Sequence, residues 1–210
     1  RLTGCHIHIQ HISTARGAQM VARAKAEGIP VTCEVTPHHL FLNEDDIKAD
    51  EYNTNLKMNP PLRTKEDNLA LQQALVDGTI DMVATDHAPH ARHEKDLEFN
   101  LAPFGITGLE TALGLLLTKL VLPGKMSWQR FVEATAIAPR KLLGLEQVSF
   151  EEGSAADFTV IDPALEWTVT ADGFESKSNN SAYIGMCLTG RATDVYTDGT
   201  ASLEDGKVTF

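Results

Sequence analysis

An α/β fold, a parallel sheet followed by a small β-rich domain, is predicted by three features of the 210-residue chain. Strand-like and helix-like segments alternate over the first two-thirds. The links between strand-like runs are long enough to hold a helix, which parallel pairing requires. From about Gln147 the texture changes to short strands and turns. These features divide the chain into residues 1–146, the α/β part, and residues 147–210, the β-domain portion.

The first strand is expected in Gly4 to Ile12, where β-branched residues recur at period two. Ser13-Thr14 is a good N-cap for the Ala-rich helix Ala15 to Glu27, which Gly28 stops. Pro30 to Thr36 reads as a second strand leading into Pro37-His38-His39-Leu40. A capped helix begins near Thr64 and carries Leu69, Leu71, Ala74 and Leu75 to Gly78. The third strand, Ile80 to Ala84, ends at Asp86. Gly108 to Leu122 and Ser127 to Leu145 are expected as amphipathic helices whose leucines form an outer layer. Short strands are expected at Ala156 to Asp162, Glu166 to Val169, Ala182 to Thr189 and Asp194 to Tyr196.

Composition excludes several function classes. A net charge of −11 with no local cluster of Lys or Arg opposes binding to nucleic acid or to an anionic membrane. Cys5, Cys33 and Cys187 are odd in number and lack Cys-x-x-Cys spacing, so neither a disulfide framework nor a thiolate zinc site is expected. A reducing cytoplasm fits that usage. No run is apolar enough to span a bilayer, and the start carries no signal-peptide pattern.

The chemistry concentrates in Thr85-Asp86-His87-Ala88-Pro89-His90. A carboxylate at the end of a buried strand emerges at the sheet's C-terminal edge, where parallel α/β folds build their sites. Such a group can bind a cation and take a proton, and Pro89 stiffens the turn that carries His90. Alternatively, Asp86 caps the next element and the histidines are solvated loop residues. In the first strand His6 and His8 share a face, and only His11 lies at the strand end in the position Asp86 takes on its own. The trio can equally be filler of a half-buried sheet, and His38-His39 supports the site or simply packs.

Five motifs resemble, in order and spacing, the dihydroorotases of the amidohydrolase superfamily, class I type. They are His8-Ile9-Gln10-His11-Ile12-Ser13-Thr14, Val35-Thr36-Pro37-His38-His39-Leu40, Met58-Asn59-Pro60-Pro61-Leu62-Arg63, Ala84-Thr85-Asp86-His87-Ala88-Pro89-His90 and Ala102-Pro103-Phe104-Gly105. Gly153 to Asp162 also looks like the strand by which these enzymes return to their β-domain. The resemblance implies that residues 1–146 are the last strands and helices of a (β/α)8 TIM-type barrel, followed by a small β-sandwich portion. It implies a cyclic amide hydrolase of pyrimidine biosynthesis that interconverts N-carbamoyl-L-aspartate and L-dihydroorotate with one or two zinc ions per complete active site. By the same mapping His11 and Asp86 are metal ligands and Asp86 is also the general base. Asn59 and His90 bind substrate, and the backbone of Phe104-Gly105 lies near the ring. A homo-oligomer is implied, with aspartate transcarbamoylase as a candidate partner.

The family's first-strand His-x-His, its next bridging ligand and a further histidine precede the matched region, and none is found here. His6-Ile7-His8 has the spacing but falls on the strand that aligns with the sixth, so it is read as coincidental. With a start at Arg1 rather than Met, this leads to the expectation of a C-terminal half that is inactive and does not retain zinc by itself. A hydantoinase-like or allantoinase-like enzyme, and a non-catalytic dihydroorotase-like subunit, are the alternatives.

Overall fold

The computed structural model describes residues 2–209. Strand β1 (Ile7–Ile9) is followed by helix α1 (Ala15–Ala26), β2 (Val31–Val35), α2 (Pro37–Phe41), α3 (Glu44–Ala49), a 3-10 turn (Thr54–Leu56), α4 (Lys65–Val76) and β3 (Met82–Val83). The three strands form a parallel sheet in the order β1-β2-β3, with Ile7 beside Val31 and Val35 beside Val83. Because β2 is central, Cys33 and Val35 are fully buried, whereas Ile7 and Ile9 on the β1 edge are exposed. Three strands do not close a barrel, and the sheet is open.

Local signals place the helices. Thr14 caps α1 by accepting the Gly17 amide at 3.0 Å. Thr64 and Asp67 form a reciprocal capping box at the start of α4. Asp67 also accepts the Ala15 amide at 2.8 Å, so one carboxylate ties the first turns of α1 and α4 together. At the opposite end of the sheet, Lys25 pairs with Asp81 at 2.7 Å and Arg130 donates to the Ile80 carbonyl at 2.6 Å.

Beyond β3 come the short α5 (Arg92–Lys95) and α6 (Leu109–Leu116), which runs on into a π-helical turn (Leu117–Val121). The second expected long helix is α7 (Trp128–Val132), a π-helical turn (Glu133–Ile137) and α8 (Ala138–Leu142). Four antiparallel strands follow in order: β4 (Phe158–Thr168), β5 (Cys187–Thr197), β6 (Thr200–Glu204) and β7 (Lys207–Val208). They make one layer, and no second layer of a sandwich lies among the described residues.

Two expectations are corrected here. Ala156 to Asp162 and Glu166 to Val169 are not separate strands but one, β4, with a register shift between Asp162 and Glu166. Asp162 accepts the Ala164 amide at 2.8 Å and holds the bulge without ending the ladder. Likewise Asp194 to Tyr196 belongs to β5, while Ala182 to Met186 is turn rather than strand.

Two cores result. One packs α1, α4 and the α6 extension onto the sheet through Val21, Leu71, Leu75 and Leu120. The other joins the two parts of the chain: Leu56, Met58, Leu62 and Ile106 meet Val169, Tyr183 and Leu188. Gly190, at φ 93°, lets β5 approach the π-turn, because a Cβ there would lie 2.4 Å from Leu117.

Candidate functional site

The ends of β1 and β3 repeat one local device. His11 lies two residues past β1 with φ 36°, and Asp86 three residues past β3 with φ 48°. Left-handed backbone is uncommon outside glycine, and it collects at sites where the surroundings impose it. At these positions it turns each chain off the sheet. Asp86 is exposed and His11 is half-buried, and the His11 Nδ1 is itself buried with no hydrogen-bond partner.

His39 stands within electrostatic reach of both. It is buried at the start of α2, where Thr36 Oγ1 lies 2.8 Å from Nδ1 and Nε2 donates to the Pro60 carbonyl at 2.9 Å. Burial, opposed by the bond to Pro60, holds its pKa below the ordinary histidine value. His38 packs against it with ring centroids 4.5 Å apart, and its Nε2 is buried without a partner. Burial, then the neighbouring His39 and His11, push the His38 pKa far down. The pair therefore forms a neutral imidazole wall beside the two strand ends. Through Pro60 it also holds the loop that presents Asn59, which is exposed.

His6 and His8 do share a face, as expected. His8 contacts Thr32 at 2.8 Å and Glu34 at 3.0 Å, and His6 contacts the same Thr32 at 3.2 Å. They are paired within the sheet, away from the strand-end position of His11.

The second group of predicted residues meets across two loops. His90 Nε2 donates to the Phe104 carbonyl at 2.8 Å, with Nδ1 4.0 Å from Glu94. Phe104 is 52% exposed, and the Lys57 ammonium sits 4.7 Å over its ring. Gly105 is buried at φ 98°, and a Cβ there would come within 2.6 Å of the Ala88 Cβ. Its amide donates to the Lys57 carbonyl at 2.9 Å, and its own carbonyl accepts Lys95 Nζ at 3.0 Å. Gly105 thus provides close backbone approach, with both of its polar groups already bonded inside the protein.

Sequence reasoning missed Lys95 and Asn180, which hold these loops, and named His87 without its capping role. Lys95 is buried on the carbonyls of Pro103 and Gly105, and burial together with the charge of Lys57 lowers its pKa to about 8. His87 accepts the Gly108 amide at 3.0 Å through Nδ1, which leaves its hydrogen on Nε2, 3.4 Å from Ser176 Oγ. It caps α6, whose own N-cap is a glycine. Asn180 reaches both loops from the segment before β5. No short-range motif marks Lys95 or Asn180, because their partners lie from eight to ninety-two residues away.

An orphaned buried imidazole nitrogen and an exposed carboxylate fit zinc in kind. Among the described residues no three His, Cys, Asp or Glu side chains gather closely enough to hold a metal ion. His11 Nδ1 is not the only orphaned imidazole nitrogen, since the neighbouring His38 Nε2 is likewise buried without a partner.

The profile of the Amidohydrolase family matches residues 3–208. The dihydroorotase of Anaeromyxobacter sp. (strain K) is 47% identical over 206 residues, which is 98% of this chain and 47% of the relative. The dihydroorotase of Chlorobaculum tepidum is 48% identical over 189 residues, covering 90% of this chain and 43% of its own. This chain thus spans about half the length of the curated relatives it matches. Among solved structures, the L-hydantoinase (dihydropyrimidinase) from Arthrobacter aurescens superposes with a TM-score of 0.93 at 32% identity, over 100% of this chain and 47% of that one. An inactive dihydroorotase-like domain of a Chaetomium thermophilum CAD-like multifunctional protein shares the fold, with a TM-score of 0.74 at 22% identity. The chain belongs to the amidohydrolase family and is dihydroorotase-like within it.

Proposed function

We propose that this chain supplies the C-terminal part of a dihydroorotase active site, in which L-dihydroorotate and N-carbamoyl-L-aspartate are interconverted. The observation that carries the reading is the matched pair of left-handed strand ends bearing His11, with its orphaned Nδ1, and Asp86. His11 and Asp86 would hold zinc, with the remaining ligands coming from outside these residues. When bound, the metal supplies Lewis-acid polarisation of the ring amide carbonyl and makes water acidic enough to attack at neutral pH.

Asp86 is exposed at the mouth and takes the proton as water adds to the amide carbon. It then delivers that proton to the ring nitrogen as the C–N bond breaks, and closure follows the same steps in reverse. Asn59 and His90 bind the substrate, His90 at its carboxylate. The Phe104-Gly105 segment lies near the ring, with Phe104 exposed and Gly105 letting the backbone pack closely on Ala88 behind it. The identity to dihydroorotases, 47%, exceeds that to the solved L-hydantoinase, 32%, and favours dihydroorotate over hydantoins.

The test is zinc-loaded protein offered L-dihydroorotate, hydantoin and allantoin, as the chain alone and mixed with the N-terminal half of the Anaeromyxobacter dihydroorotase. The chain alone is expected to be inactive and the mixture to open dihydroorotate. Preference for hydantoin or allantoin would assign the relative's chemistry instead. No turnover with zinc retained by the mixture would make the chain a non-catalytic subunit.

A further inference from the structure

Asn180 lies in Ser178-Asn179-Asn180-Ser181, a small polar segment that looks like an ordinary turn. It is only 6% exposed, and its amide is fully used. Nδ2 donates to the Ala88 carbonyl at 3.1 Å and to the Gly105 carbonyl at 3.4 Å. Oδ1 accepts the His90 amide at 3.0 Å and the Ser178 hydroxyl at 2.9 Å. The main-chain carbonyl of Asn180 accepts the Thr107 amide at 3.0 Å. The partners fix the orientation of the amide, since an N–H must face the oxygen and carbonyls must face the nitrogen. The single Ser178 hydroxyl proton is shared between Asn180 Oδ1 and the His90 carbonyl, which also lies within its reach.

We propose that Asn180 is a positioning residue of the substrate side, a side chain that joins the His90 loop to the Phe104-Gly105 loop from a third segment of the chain and, with the His90–Phe104 bond, sets their separation. It touches no reacting atom and acts through His90 and Gly105. Buried polar groups joined in a satisfied network specify a single geometry more sharply than apolar packing does. A shift of either loop would break bonds to the other through the same amide. The inference rests on the reading of His90 and Phe104-Gly105 as the substrate side, and it adds a part of the chain some ninety residues removed from His90.

The experiment uses Asn180→Asp in the complemented, zinc-loaded enzyme. This change keeps size and shape but sets a carboxylate oxygen against the carbonyls of Ala88 and Gly105. KM for dihydroorotate is expected to rise about tenfold or more with kcat and zinc content little changed. In a His90→Ala background the same change should cost clearly less than in the wild-type background, because the share of its effect that passes through His90 is already lost and only the share through Gly105 remains. Additive losses in the double variant would overturn the proposal and leave Asn180 as general scaffolding. Ser178→Ala, which removes one hydroxyl of the network, should move KM the same way by less and decides the matter if Asn180→Asp fails to fold.

Amide exchange followed by mass spectrometry supplies a readout free of turnover. Exchange in residues 86–90 and 103–107 should quicken in Asn180→Asp while that of α1 and α4 stays unchanged. Unchanged exchange in both loops would overturn the proposal. A wild-type enzyme that ignores dihydroorotate while the exchange result holds would overturn only the assigned reaction.

Discussion

The strand ends bearing His11 and Asp86 and the loops around His90 and Gly105 are built on opposite terms. Around His11 and Asp86 the polar groups are poorly partnered: His11 Nδ1 and His38 Nε2 are buried without hydrogen bonds, and two non-glycine residues take left-handed backbone. Around Gly105 the amide, its carbonyl, the His90 amide and the carbonyls of Ala88 and Pro103 are all bonded. Buried orphan polar groups lower stability, whereas satisfied ones hold geometry. The first region carries unpartnered polar groups at a cost in stability, and the second is held in one shape.

Variants can break that distinction. The largest effect is expected from Asp86→Asn in the complemented enzyme, with kcat for dihydroorotate falling about 10²- to 10⁴-fold. Asparagine tolerates left-handed backbone, so thermal unfolding should stay at the wild-type temperature or above it. A marked loss of stability in Asp86→Asn would erase the contrast.

Lys95→Met probes the other side. It strips the donor from Pro103 and Gly105 and should cost roughly 1–3 kcal/mol in a denaturant titration. The pH dependence sharpens the point. Lys95 titrates near 8 when folded, below its ordinary 10.5, so between those values the unfolded chain holds the extra proton. Stability contributed by this group therefore rises with pH across that window, and Lys95→Met should remove the rise. Gly105→Ala should cost about 1–3 kcal/mol through the clash with Ala88 and the left-handed φ, and should raise KM. The smallest effect is expected from His87→Ala, about 1 kcal/mol of helix capping, with kcat retained. A large fall in kcat there would move His87 from scaffold to chemistry.

Much of the framework was legible because its causes are local. Thr14 and the Thr64/Asp67 box cap the helices the sequence places there, and the short apolar run before Asp86 delivers it to the strand end. The bulge in β4 was hidden because Pro163 reads as a terminator, although antiparallel ladders accept a proline at a bulge. Lys95 and Asn180 escaped notice, and His87 was named without its capping role, for a different reason. A buried lysine among carbonyls, a histidine capping a distant helix and an asparagine spanning two loops all look like surface polar residues until the chain is folded. The grouping of His11 with His38 and His39 likewise depends on α2 packing beside β1's end, which no spacing within either motif encodes.

The left-handed backbone at positions 11 and 86 bears on how this protein responds to selection. Glycine relieves the strain at either position, and asparagine relieves part of it, each at a gain on the order of 1 kcal/mol. A library screened for heat tolerance alone would therefore be enriched at these two positions in clones that resist heat but have lost their imidazole or carboxylate. Screening would need a check that His11 and Asp86 are kept at every round, because these two candidate site residues are also among the chain's strained backbone positions.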